Sequence, residues 1–274
     1  MKIINLMENT KGANDCVCEH GLSFYIETKQ HKLLVDTGAS AAFIENAKKL
    51  GVDLKAVDTV VLSHGHYDHG GGLLAFMEMN SDAKIYIRDK AFGEYYHVDP
   101  NKERYIGIDS RIKASEQIVL VEDNVRIDEE FYLFTHVTGR KLWPTGNLEL
   151  KEKAEDGWIQ DEFEHEQYLV ITEDDKKVLI SGCAHNGILN IMDKAIEILG
   201  KAPDVVISGF HMMQKKGYSD ADLKNIRETA HALQEWPTIY YTGHCTDQLP
   251  FETMKEIMDE QVRYVHCGDE IKLA

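Results

Sequence analysis

Ser63-His64-Gly65-His66-Tyr67-Asp68-His69 gathers three imidazoles and one carboxylate into the six positions from His64 to His69. Those are the borderline nitrogen and oxygen donors that Zn²⁺, Fe²⁺ and Mn²⁺ accept. In an extended turn the alternate residues His64 and His66 point to one side and can share an ion. Asp68 and His69 then open the next turn and face a second position. Gly70, Gly71 and Gly72 follow, letting the backbone run close to bound ions before a helix that begins near Leu73. A solvated histidine-rich loop is the plain alternative. It does not explain why these side chains arrive together at the end of an apolar run.

That run, Thr59-Val60-Val61-Leu62, is one of several of the same form. Lys32-Leu33-Leu34-Val35-Asp36-Thr37-Gly38, Lys177-Val178-Leu179-Ile180-Ser181-Gly182-Cys183 and Asp204-Val205-Val206-Ile207-Ser208-Gly209-Phe210-His211 repeat it. So do Thr238-Ile239-Tyr240-Tyr241-Thr242-Gly243-His244 and Val262-Arg263-Tyr264-Val265-His266. Each has an apolar centre of about four residues rich in Val, Ile and Tyr, the mark of strands covered on both faces. Helical periodicity lies between them, over residues 41–50, 186–199, 223–236 and 251–258. Residues 2–7, 22–27 and 32–36 read as consecutive antiparallel strands. Sheets covered by helices, an α/β architecture, follow from this pattern.

Residues from 89 to 166 carry weaker periodicity. Within them 148–157 reads as loop and 126–137 contains a strand. Tyr95, Tyr96, Trp143, Trp158 and Phe163 punctuate the segment. Either they pack against a sheet edge, or the segment folds over the site and supplies a pocket wall. No Pro- or Ser-rich linker divides the chain. Residues 1–274 are therefore expected to form a single domain, with 89–166 as an internal segment covering the active site.

A formal charge of −17, from 47 acidic and 30 basic residues, argues against extended nucleic-acid binding, which needs Lys and Arg along a phosphate backbone. A local pocket for one phosphate remains compatible with it. The opening Met1-Lys2-Ile3-Ile4-Asn5-Leu6 lacks the features of a secretory leader, and no apolar run approaches the roughly 20 residues of a membrane span. Five scattered cysteines without a Cys-x-x-Cys pair suit a reducing cytoplasm better than a disulfide framework or zinc knuckle.

Beyond the first cluster, His185, His211, His244 and His266 lie in or just after apolar runs. One histidine at a strand end is commonly structural. Several strands delivering histidines to one edge build a site, because the loops at strand ends converge on a crevice. His20, His31, His97, His136, His231 and His266 have no comparable context and are read as ordinary residues.

The histidine-aspartate stretch, together with Leu34-Val35-Asp36-Thr37-Gly38, resembles the metal motifs of the metallo-β-lactamase superfamily. The resemblance runs from residue 2 to the end and implies a four-layer αββα sandwich with the metal cleft at one rim of two facing sheets. It implies His64, His66, Asp68, His69, His185 and His244 as metal ligands, and Asp36 as an organiser beside them. Gly182-Cys183-Ala184-His185-Asn186-Gly187-Ile188, Gly209-Phe210-His211-Met212, Gly243-His244-Cys245-Thr246 and Asp161-Glu162-Phe163-Glu164-His165-Glu166-Gln167 are similar to a narrower group. It includes the dihydropterin-(ribofuranosyl)aminobenzene phosphate synthases, which join a pterin methyl pyrophosphate to an arylamine. Two departures from the wider superfamily stand out. Arg140, in Thr138-Gly139-Arg140, occupies a place where many members have a histidine. Cys183 stands where many have a bridging aspartate; it is either a thiolate ligand or a buried neutral thiol, with His185 as the compensating ligand.

These implications give a metal-dependent, hydrolase-like enzyme with two divalent ions, zinc first and iron or manganese as alternatives. Its substrate is a small, phosphorylated molecule, and a synthase-like transfer is a variant of the same chemistry. Asp68 would hold an ion and orient the nucleophile, and His211 would contact substrate or protonate a leaving group. His165, Glu166 and Arg140 are candidate substrate contacts. Two rivals stand beside this reading: an iron-dependent oxidoreductase on the same fold, and a non-catalytic ligand-binding module.

Overall fold

A computed structural model describes residues 1–273. Two seven-stranded sheets face each other. In the first, Glu270–Ile271, Lys2–Met7, Ser23–Glu27 and Lys32–Val35 pair antiparallel, and Thr59–Leu62, Lys84–Arg88 and Ile118–Val121 continue in parallel. In the second, Val262–Tyr264, Ile239–Thr242, Val205–Ile207 and Lys176–Ile180 are parallel; Tyr168–Glu173, Phe131–Phe134 and Val125–Arg126 extend it antiparallel.

Period-two alternation decides which side chain enters which layer. Leu33, Val35 and Val61 point between the sheets, meeting Leu169, Ile171, Val178, Ile180, Val205 and Ile207 of the opposite sheet. Their neighbours Leu34, Val60 and Leu62 point the other way, against Phe43 and Ala47 of the helix Ala42–Lys49 and Leu73 and Phe76 of the helix Leu73–Met79. On the far side Leu179, Val206 and Tyr240 meet Ile191, Met192, Ile226, Leu233 and Met254 from the helices Ile188–Leu199, Asp220–Gln234 and Gln248–Met258. The order is helix, sheet, sheet, helix: the αββα sandwich. Strands covered on both faces need apolar residues at successive positions, which is why these runs do not alternate with polar residues. Truncating a fully buried Leu34 to alanine should cost about 2–5 kcal/mol.

The helix Asp220–Gln234 starts three residues before the apolar period suggests, because Ser219 and Asp222 form a reciprocal capping box there. A larger departure lies in the middle segment. Leu150–Ala154, expected within a loop, is a strand pairing with Gly157–Gln160 and Tyr95–Asp99; Lys102–Tyr105 completes a small four-stranded sheet. Its Lys151, Glu152 and Lys153 are charged and incompletely buried. Backbone pairing holds this strand without an apolar pattern to announce it.

Candidate metal centre

The chain leaves the strand Thr59–Leu62 at Ser63 and enters the short helix Tyr67–Gly70. Asp36 lies just past the neighbouring strand Lys32–Val35 in a left-handed conformation (φ 59°). Its carboxylate accepts the Ser63 amide and hydroxyl, each at 2.7 Å, and the His69 Nδ1 proton at 2.7 Å. The Ser63 hydroxyl, having donated to Asp36, accepts from His64 Nδ1 at 2.9 Å. One buried carboxylate thereby fixes the tautomers of His64 and His69, leaving an Nε2 lone pair on each. Gly65 is required for a different reason. A Cβ there would sit 2.5 Å from the Ala91 carbonyl oxygen, so the loop packs backbone to backbone.

The second sheet brings its histidines on three separate strand ends. The loop after Lys176–Ile180 carries His185, and a buried Glu166 binds it: Oε1 accepts the His185 amide at 2.6 Å and Oε2 the Asn186 amide at 2.9 Å. Asn147 accepts His185 Nδ1–H at 2.9 Å while its amide donates to the His185 carbonyl at 2.7 Å. The loop after Ile239–Thr242 carries His244 in the same manner. Buried Glu8 accepts its amide at 2.5 Å, and Asn9 accepts its Nδ1–H at 2.8 Å. Each of these histidines thus has a glutamate for its backbone and an asparagine for its ring. Ala184, His211 and His244 all sit at φ near +50°. Left-handed backbone is costly for such residues and persists where surroundings over-determine it.

Two groups of donors result. His64 Nε2 and His66 Nδ1 lie 3.1 Å apart, and the His185 ring centroid is 4.9 and 4.8 Å from theirs. His69 Nε2 is 3.2 Å from His244 Nε2, with Asp68 Oδ2 at 3.9 and 3.5 Å from them. Cys183 Sγ lies 3.2 Å from His69 Nε2, and belongs also to the cluster with His64 and His185. Imidazole lone pairs facing each other at such distances repel unless a cation or proton lies between them. His185 Nε2 is buried with no hydrogen-bond partner. The donor set fits divalent cations.

Electrostatics agree with that fit. Burial holds His64 and His185 well below the usual imidazole value, His66 at about 3 and His244 at about 4, so each is a neutral donor at neutral pH. Burial also opposes charge on His69, but the Asp36 carboxylate outweighs it and raises that ring. Asp68 is held well below the carboxylate range despite its burial, by His20, His244 and His69. Burial, with Cys245 beside it, pushes the Cys183 thiol up.

His211 stands in the cleft wall 4.1 Å from the His185 ring, its buried Nδ1 without a partner. Burial lowers it to about 3, so it is a neutral imidazole at neutral pH.

The three expected substrate contacts fall elsewhere. Glu166 spends both oxygens on the His185 loop and the Tyr168 hydroxyl. Buried His165 accepts the Gly65 amide at 3.0 Å and bonds Asp161 at 3.1 Å, so it supports the metal loop from behind. Arg140 pairs with Glu162 and lies over Trp143, lining a depression separate from the cleft that His66 and His185 line. Satisfied hydrogen-bond capacity is what removes Glu166 and His165 from the cleft.

His20, taken as ordinary, reaches the site. Its Nε2 is 3.2 Å from Asp68 Oδ2 and its Nδ1 3.2 Å from the Asn9 amide. It sits in an irregular polar stretch with no periodic cue. Glu8 and Asn9 had one: they follow directly on the strand Lys2–Met7, the position that also marked His185 and His244. His97, Arg104, Ile106, Glu149 and Leu150 of the middle segment line the same cleft.

A two-sheet sandwich with this histidine cluster at its rim is the architecture of a metallohydrolase-type fold. The chain belongs to the metallo-β-lactamase superfamily, whose signature matches residues 17–205. It is 30% identical, over 99% of its own length and 96% of the relative's, to a 7,8-dihydropterin-6-methyl-4-(β-D-ribofuranosyl)-aminobenzene-5'-phosphate synthase of Methanocaldococcus jannaschii. An uncharacterised protein of the same organism is 28% identical over 89% of this chain and 90% of that protein. Among solved structures, Tm1679, described as a metal-dependent hydrolase of the β-lactamase superfamily, superposes with a TM-score of 0.82 at 28% identity, covering 100% of this chain and 99% of that one.

Proposed function

We propose that this protein is a metal-dependent enzyme that uses two divalent cations, zinc first, to hydrolyse or displace a leaving group on a small phosphorylated molecule. One observation carries the reading: lone pairs from five histidines on both sheets, four of them in fixed tautomers, converge with Asp68 and Cys183 on one rim. His64, His66 and His185 would hold one cation, and Asp68, His69 and His244 the other, with Cys183 between. Bound there, such cations supply Lewis acidity to water and to a substrate oxygen. The chain's own residues do the rest. Asp68, ionised and flanked by His20, can orient a nucleophile by accepting its hydrogen bond. His211 offers a neutral ring to the substrate from the opposite wall.

The M. jannaschii synthase supports a transfer version of the same chemistry, in which an amine takes the place of water as the acceptor. The narrow cleft and the acidic chain favour small substrates over nucleic acid. The test is turnover of aryl phosphates and an alkyl pyrophosphate, with and without an arylamine acceptor. The expected result is zinc-dependent release of phosphate or pyrophosphate that chelation abolishes and His69→Ala/His244→Ala eliminates. Turnover that survives both would refute the assignment.

A further inference from the structure

The cleft has two chemically different ends. Its floor holds the donors described above, and its mouth carries positive charge unusual in a chain of net charge −17. Arg104, on the exposed strand Lys102–Tyr105, lies over the Tyr67 ring with its carbon 5.3 Å from the centroid and donates to the Tyr67 hydroxyl at 3.2 Å. Tyr67 sits between His66 and Asp68, so Arg104 is fixed to the metal loop itself. Lys215, four residues after His211, lines the same cleft. That loop is pinned by the Met212 and Met213 amides, which donate to the Cys245 carbonyl at 2.9 and 3.0 Å.

The carboxylate lining the cleft at this end, Glu149, is occupied. Glu149 binds Lys216 at 2.7 Å and His97 at 3.0 Å. Among the described residues neither Arg104 nor Lys215 forms an ion pair. Both nonetheless act on one point, since each depresses His97, behind burial as the first cause and against the pull of Glu149. Between floor and mouth the wall is Tyr67, Ile106, Leu150 and Met213.

We propose that Arg104 and Lys215 form an anion subsite at the mouth of the cleft that binds a terminal phosphate monoester of the substrate, remote from the group that reacts. Two unneutralised cations match a dianion, and a carboxylate would satisfy only one of them. The apolar wall between the ends fits a ring or a short carbon spacer, so the substrate carries its reacting group at the metals and its phosphate apart from it. This rests on the reading of the cleft as the substrate site.

The test uses phenyl phosphate as the probe, titrated calorimetrically in the presence of excess chelator, so that its one phosphate is neither held nor turned over at the metal positions. Arg104→Gln/Lys215→Gln should weaken binding by at least about tenfold, and Arg104→Lys should retain most of the affinity. Raising salt from about 50 to about 300 mM should weaken wild-type binding more than that of the double variant. Benzoate should bind more weakly than phenyl phosphate. Equal affinity in wild type and double variant, no binding by wild type, or benzoate binding as tightly as phenyl phosphate would overturn the proposal. Elemental analysis before chelator is added reads the metal centre separately: absence of metal would defeat the catalytic reading, while the affinity comparison would still judge the anion subsite.

Discussion

The two sheets supply the centre in opposite ways. The first sheet delivers His64, His66, Asp68 and His69 from one contiguous turn, organised by a single buried carboxylate, Asp36. The second delivers His185, His211 and His244 from three strand ends, each loop carrying a left-handed residue. Contiguity lets one carboxylate orient two rings at once. Dispersal requires a separate anchor for each loop: Glu166 with Asn147 at His185, Glu8 with Asn9 at His244, and the Cys245 carbonyl for the His211 loop. One half of the centre is therefore built into a local motif and the other half depends on long-range contacts.

The sharpest way to break this comparison is to remove its hinge on the compact side. Asp36→Ala should strip both His64 and His69 of their orientation and leave the Ser63 amide unsatisfied in a buried site. Metal affinity should fall by more than about 100-fold, with roughly 2–4 kcal/mol of stability lost, read by metal titration and chemical denaturation. On the dispersed side, damage should be confined to one loop. Glu8→Gln should cost about 1–3 kcal/mol and weaken the His244 position while sparing the His64 side. Glu166→Gln should do the converse, at His185. If either variant empties both positions, the two positions are not independent.

Asn9→Ala and Asn147→Ala should have smaller effects, on the order of 10-fold in metal affinity with little change in stability, because they release a ring tautomer and not a backbone amide.

The smallest effect is a pH dependence of the metal-free protein. His66 and His244 titrate near 3 and 4 when folded, against roughly 6.5 unfolded. Between those limits the unfolded chain takes up protons that the folded one refuses, so stability falls as pH drops below about 6.5. His69, raised by Asp36, works in the other direction and offsets part of the loss. The melting temperature should drop by on the order of 5 °C from pH 7 to pH 5. A flat profile would show that these rings are not buried neutral.

The contiguous half was the legible half. His64 to His69 announced itself by composition, and Val60, Val61 and Leu62 announced the doubly covered strand before it, because burial on both faces admits only apolar residues. His185, His211 and His244 could be marked through their place after apolar runs. What fixes them could not: Glu166 looked like a substrate contact because its polarity is visible in sequence, whereas its three hydrogen bonds across the fold are not. His20 was invisible for the same reason, since nothing local records that residue 20 meets residue 68. The strand Leu150–Ala154 lacked apolar alternation because the small sheet is half solvated.

The central claim is that two cation positions, each drawing ligands from both sheets, are filled. Elemental analysis of protein purified without added metal, then reconstituted with zinc, tests it directly across wild type, His64→Ala/His66→Ala and His69→Ala/His244→Ala. The account predicts about two equivalents in wild type and about one in each double variant. No bound metal in wild type after reconstitution, or the same content in all three proteins, would contradict it.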